Sequence, residues 1–103
     1  MGIKKQFLKS KPVCKVSFSV STEDAIGAKS IQILGEFNNW NQSSVSMKEL
    51  KSGAFSQTIN LEQDKEYQFR YLIDGEKWIN DIDADAKTIN IFNDMNDIVS
   101  TFK

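Results

Sequence analysis

A chain of 103 residues is the size of one domain and can bury about 60–70% of its unfolded surface on folding. A hydrophobic content of 40% with 7 Phe, 2 Trp and 2 Tyr excludes a disordered chain, and a formal net charge of −1 gives nucleic acid or an anionic membrane no electrostatic reason to bind. The absence of histidine removes the commonest zinc ligand and the commonest general base together.

Cys14 is the single cysteine, so no internal disulfide forms and the chain suits a reducing compartment. The N-terminal lysines are not followed by an apolar run, so they open no signal peptide. No stretch approaches the roughly 20 apolar residues needed to span a bilayer. Gly2 lacks the Ser or Thr that a myristoylation signal requires at the position held by Gln6. The expectation is a cytoplasmic protein.

Residues 1–11 are polar and basic, with Ile3, Phe7 and Leu8 as their large apolar groups. They read as a basic arm laid on a domain formed by residues 12–103. Pro12 marks the entry to a first strand, where Cys14, Val16, Phe18 and Val20 alternate with Lys15, Ser17 and Ser19. Residues 21–27 form a loop or a single capped helical turn. The next run, Ile31-Gln-Ile-Leu-Gly35, is a buried strand that ends where a residue without Cβ lets the backbone bend or approach a neighbour closely. Asn38 and Asn39 then turn the chain and deliver Trp40, either as an exposed platform or as a lid on the end of the core.

A short strand is expected over residues 45–50, a turn at Lys51-Ser-Gly53, and a strand carrying Phe55, Gln57, Ile59 and Leu61 on one face. Gln57 interrupts that apolar face. The strongest period-two signal follows, with Tyr67, Phe69, Tyr71 and Ile73 inward and Gln68, Arg70 and Leu72 outward. Asp74-Gly75 is a hairpin dipeptide that returns the chain through Trp78. Residues 80–87 read as a polar loop, residues 88–92 as a weak strand, and residues 97–102 as the last one. Short strands at close spacing without helical periodicity predict an all-β, immunoglobulin-like sandwich of about seven or eight antiparallel strands.

Asp81-Ile-Asp83-Ala-Asp85 has the alternate carboxylates of a calcium loop, but Ala86 and Phe92 stand where glycine and glutamate are required. A histidine triad is impossible, no glycine-rich loop cradles phosphate, and Cys14 alternates with polar neighbours as a core residue does. The expectation is no enzyme, no metal and no cofactor. What survives is binding chemistry: aromatic faces stack on the C–H side of a sugar ring while fork-like donors hold its hydroxyls, and Trp40, Trp78 and Arg70 supply both.

Three motifs extend this. Gly35-Glu-Phe-Asn-Asn-Trp40, Tyr67-Gln-Phe-Arg-Tyr-Leu-Ile-Asp-Gly75 with Trp78, and Asn90-Ile-Phe-Asn-Asp-Met-Asn96 resemble the family 48 carbohydrate-binding modules. That family includes the glycogen-binding domain of the AMP-activated protein kinase β subunit and the early-set domains of isoamylases and branching enzymes. Small stand-alone bacterial early-set proteins share the Lys-rich start as well. The resemblance implies that Trp40 and Trp78 stack on glucose rings and that Arg70 takes the place of a hydrogen-bonding lysine. It further implies that Phe92 pushes into the glucan coil and that Asn96 bonds sugar hydroxyls. Asp94 replaces a threonine of the kinase module, Asn93 sits where the family often has glycine, and the hairpin before Trp78 is one residue longer than in the kinase module, with Lys77 inserted. The function so implied is non-catalytic binding of α-1,4-linked glucan. The alternative is a protein-interaction module of the same fold, docking on a glycogen-metabolising enzyme or on itself.

Overall fold

The structure, a computed structural model, describes residues 2–25 and 27–102. Met1 in the arm, Ile26 in the loop over residues 21–27 and Lys103 at the domain's end lie outside the described residues. Among the described residues nine strands form two antiparallel sheets packed face to face: β1 (Gly2–Phe7), β2 (Val13–Val20), β3 (Ile31–Gly35), β4 (Lys48–Glu49), β5 (Phe55–Glu62), β6 (Glu66–Ile73), β7 (Lys77–Ile79), β8 (Ala86–Ile89) and β9 (Met95–Ser100). One sheet has the order β1-β2-β5-β4 and the other β3-β6-β9-β8, with β7 pairing on β6 beyond the end of β9. Among the described residues no helix is long and apolar enough to cross a membrane. The domain is the all-β, immunoglobulin-like sandwich that the alternation predicts.

The core sits between the sheets. Cys14, Val16, Phe18 and Val20 of β2 are fully buried, and Phe55 and Leu61 of β5 face Ile31, Ile33, Phe69, Tyr71 and Val99 of the other sheet. Phe18 meets Phe69 edge-on at 5.2 Å, and Phe69 meets Tyr71 in the same way at 5.8 Å, the geometry that aromatic quadrupoles favour. Burial pushes the Cys14 thiol up, which keeps it protonated and unreactive as a core residue. Gln57 keeps the register of β5 opposite Phe18, with its Oε1 buried and unpartnered.

Residues 2–7 form the edge strand of the first sheet, Ile3 opposite Phe18 and Phe7 opposite Cys14. Lys5 lies between them on the inner side and bridges to Asp85, just before β8, at 2.7 Å. The strand expected over residues 45–50 contracts to β4, while Met47 is buried and its amide donates to the Ile31 carbonyl at 2.8 Å.

Inside the second sheet runs a buried polar network. The Tyr71 hydroxyl donates to Asp81 Oδ2 at 2.7 Å, Asp97 Oδ2 accepts from the Asp81 amide at 2.6 Å, and Lys87 Nζ donates to Asp97 Oδ1 at 2.6 Å. Asp81 and Asp97 are both fully buried, and burial pushes the Asp81 carboxyl up. Asp81 therefore spends its oxygens on Tyr71 and on the Asp83 amide (2.8 Å). Among the described residues no group of three or more His, Cys, Asp or Glu side chains is placed to hold a metal ion. Tyr71→Phe strips Asp81 Oδ2 of its donor without changing ring packing. It should destabilise the domain by about 1–3 kcal/mol, measured by urea unfolding. An unchanged midpoint would show that the network contributes nothing.

Candidate functional site

The pleat turns every second residue of the second sheet away from the core, and the register places these residues side by side. Leu34 lies opposite Arg70, Gln32 opposite Leu72, Leu72 opposite Trp78, and Thr88 opposite Asn96. The residue inserted before Trp78 therefore leaves its indole on the same face as Arg70. The loop after β3 folds back over this face, held by the Gln32 amide donating to the carbonyls of Gln42 (2.8 Å) and Ser44 (2.7 Å). An open groove of about 550 Å³ results, with Trp40, Gln68, Arg70, Trp78, Phe92 and Asn96 among its lining residues.

The turn that supplies Trp40 is built by one asparagine and one glycine. Asn38 donates from Nδ2 to the Ile33 carbonyl at 2.9 Å and accepts from the Gly35 amide at 2.9 Å. A Cβ at Gly35 would collide with the Gln68 carbonyl and lie 2.8 Å from Phe69 Cβ, so the close approach to β6 demands glycine. Asn39 and Trp40 follow in the left-handed region, at φ 56° and 57°. That backbone is uncommon for asparagine and strained for tryptophan. Its effect is to separate the turn's two aromatics. Phe37 packs toward the core, 6.1 Å from Phe18 and 6.2 Å from Tyr67, while Trp40 lies outside the core cluster and stands edge-on to Trp78 at 6.4 Å with 65° between the rings. Phe37 is thus the residue that closes this end of the core.

Arg70 lies beneath Trp78, its guanidinium carbon 4.6 Å from the ring centroid, a cation–π contact. Nη1 donates to Asp94 Oδ2 at 3.0 Å, and the arginine side chain is only 12% exposed. Its Nε is buried and unpartnered. Asp94 therefore pins the arginine from the opposite hairpin.

The wall of the groove is the tip of the β8–β9 hairpin. Asn90 Oδ1 accepts from the amides of Phe92 (2.9 Å) and Asp94 (3.2 Å), and Asn93 turns the chain at φ 61°. Asn90 Nδ2 donates to Asn96 Oδ1 at 3.1 Å, and Asn96 Nδ2 donates to Gln68 Oε1 at 3.0 Å. Phe92 is 80% exposed on the rim, whereas Asn96 is 5% exposed on the floor.

Trp40, Arg70, Trp78, Phe92 and Asn96 therefore come together from β6, β7, β9 and two loops. Sequence reasoning passed over Gln68, Glu36, Gln42 and Asn90, which line the same groove. Gln68 was within reach, since it shares the outward parity of Arg70. Asn90 was not, because its importance lies in hydrogen bonds to a hairpin tip.

The Asp94 carboxyl is held below its ordinary value, first by the Met95 amide and then by Arg70. Because folding lowers it, the pair is intact above the ordinary carboxylate range and is lost as pH falls through the lower folded value. Tryptophan emission should thus change on acidification, as Arg70 leaves Trp78. Asp94→Asn should show the altered emission already at neutral pH. Identical neutral spectra for the two proteins would mean that Asp94 does not hold the arginine.

A family model described as the glycogen recognition site of AMP-activated protein kinase matches residues 21–102. No curated protein matches the chain. The matched segment spans β3 to β9 and contains every strand and loop of the groove, and the chain belongs to this family of non-catalytic carbohydrate-binding modules.

Proposed function

We propose that the groove binds α-1,4-linked glucan, as glycogen, a starch-like polymer or a maltooligosaccharide. The angle between Trp40 and Trp78 carries this reading. Two coplanar rings would suit a flat, extended chain. Rings turned by 65° suit successive sugars that rotate against one another, as an α-1,4 linkage makes them. Arg70, stacked under Trp78, offers the guanidinium nitrogen that Asp94 leaves free to sugar oxygens. Phe92 on the rim reaches toward the inside of a coiled ligand, and Asn96 supports the floor. The work of the module is recognition without chemistry, in the cytoplasm, alongside an enzyme of glycogen metabolism.

A second reading draws on the apolar rim, where Ile89, Ile91 and Phe92 are 66%, 93% and 80% exposed. That surface suits docking on a protein partner or a second copy.

Calorimetric titration with maltoheptaose, with cellohexaose as the flat control, separates the two. Wild-type protein should bind the α-linked chain alone. Trp40→Ala should abolish binding while costing about 1 kcal/mol of stability or less, against about 3–5 kcal/mol for a residue that closes a core. Arg70→Ala should weaken binding less. Wild-type protein indifferent to millimolar maltoheptaose sinks the glucan reading, and a dimer or complex lost on Phe92→Ser then favours the second.

A further inference from the structure

We propose that Gln68 is a further sugar-contacting residue, presenting an N–H donor to the groove in the place that the resemblance assigns to Asn96. The proposal rests on the glucan reading of the groove and adds to it a residue and a polarity. Backbone amides can only donate, and two of them, from Phe92 and Asp94, meet Asn90 Oδ1 at 2.9 and 3.2 Å. The Asn90 side chain is thereby fixed, with Nδ2 turned toward Asn96 and donating to Oδ1 at 3.1 Å. Asn96 then has only its own Nδ2 for Gln68, whose Oε1 accepts at 3.0 Å. Each amide is oriented by the one before it, which settles a choice that amide geometry alone leaves ambiguous.

The chain of amides ends at Gln68 Nε2, which has no hydrogen-bond partner among the described residues, on a side chain that lines the groove. Asn96, by contrast, is 5% exposed with both amide atoms engaged, so it transmits orientation and offers a ligand little surface. Gln68 and Arg70 are two residues apart on one face of β6, about 6–7 Å along the strand. Neighbouring hydroxyl or ring oxygens of one sugar chain can meet both. Glu36, the carboxylate beside them, already accepts from the Gln68 backbone amide at 2.7 Å. Gln68 and Arg70 thus present donors beside the remaining oxygen of Glu36, an acceptor, a mixture that suits the hydroxyls of a neutral polyol.

The test combines maltoheptaose titration, thermal unfolding and NMR of side-chain amides. Gln68→Glu keeps an oxygen for Asn96 Nδ2 and removes the outward NH2, and Gln68→Met removes the donor without placing a charge beside Arg70. Both should lose affinity by about five- to tenfold, with the Gln68→Glu melting temperature close to that of wild type. In wild type, the Gln68 NH2 signals should shift on sugar addition more than those of Asn96. If wild type binds and both variants bind within about twofold of it, or if the Asn96 signals move while those of Gln68 stay still, the assignment fails and the groove reading stands. A wild type that binds no glucan overturns both.

Discussion

Strand β6 has to satisfy two opposed demands, and its pleat satisfies both. Consecutive side chains leave a strand on opposite faces, so Phe69 and Tyr71 enter the core while Gln68 and Arg70 enter the groove, and Leu72 is buried on the outer face opposite Trp78. A slip of one residue would bury a guanidinium and expose two aromatic rings, which fixes the register firmly. Pairing with β3 on one side and with β7 and β9 on the other then carries this parity outward. Trp78 shares the outer face because it pairs with Leu72, and Asn96 because it precedes Asp97, the inward partner of Phe69. The core thus positions the groove, although no core residue lines it.

The buried Tyr71–Asp81–Asp97–Lys87 network extends the same logic to the segment between β7 and β8. This segment has little regular pairing of its own, and an apolar core alone would not determine its path. Two buried carboxylates do so at a desolvation cost that an unpaired charge could not sustain. Lys87 bonds one of them, and Tyr71 and backbone amides satisfy the rest. The β8–β9 hairpin is held at this base, so its tip delivers Asn90 and Phe92 to the groove wall. Trp40 is held differently, by a strained left-handed turn fastened by Asn38 and by the space that Gly35 leaves for β6.

The strands legible in the sequence are those whose parity is unbroken. β2 alternates from Cys14 to Val20 and β6 from Tyr67 to Tyr71, and β5 survives Gln57 because its flanking apolar residues set the register. β1 was hidden because Lys5 occupies an inner position, where the salt bridge to Asp85 makes a charge acceptable. The weak strand over residues 88–92 is shifted in the structure. It lies two residues earlier, as β8, because Ile89 and Ile91 are exposed and Lys87 reaches Asp97. Asp81, read as part of a polar loop, is fully buried, since a partnered carboxylate and a solvated one look alike in sequence. Of the groove, the aromatic and cationic members were legible from residue type and parity. The division between Phe37 and Trp40 was not, because it depends on two left-handed residues rather than on side-chain chemistry.

The chain has two tryptophans, so its indole N–H signals in a nitrogen-15 correlation spectrum number two. Following both through a maltoheptaose titration asks directly whether the angled pair is the binding platform. Both signals moving together along one saturable curve, with cellohexaose moving neither, is the expected result. Two signals that stay still while sugar binds elsewhere, or that respond equally to the flat β-linked chain, would contradict it.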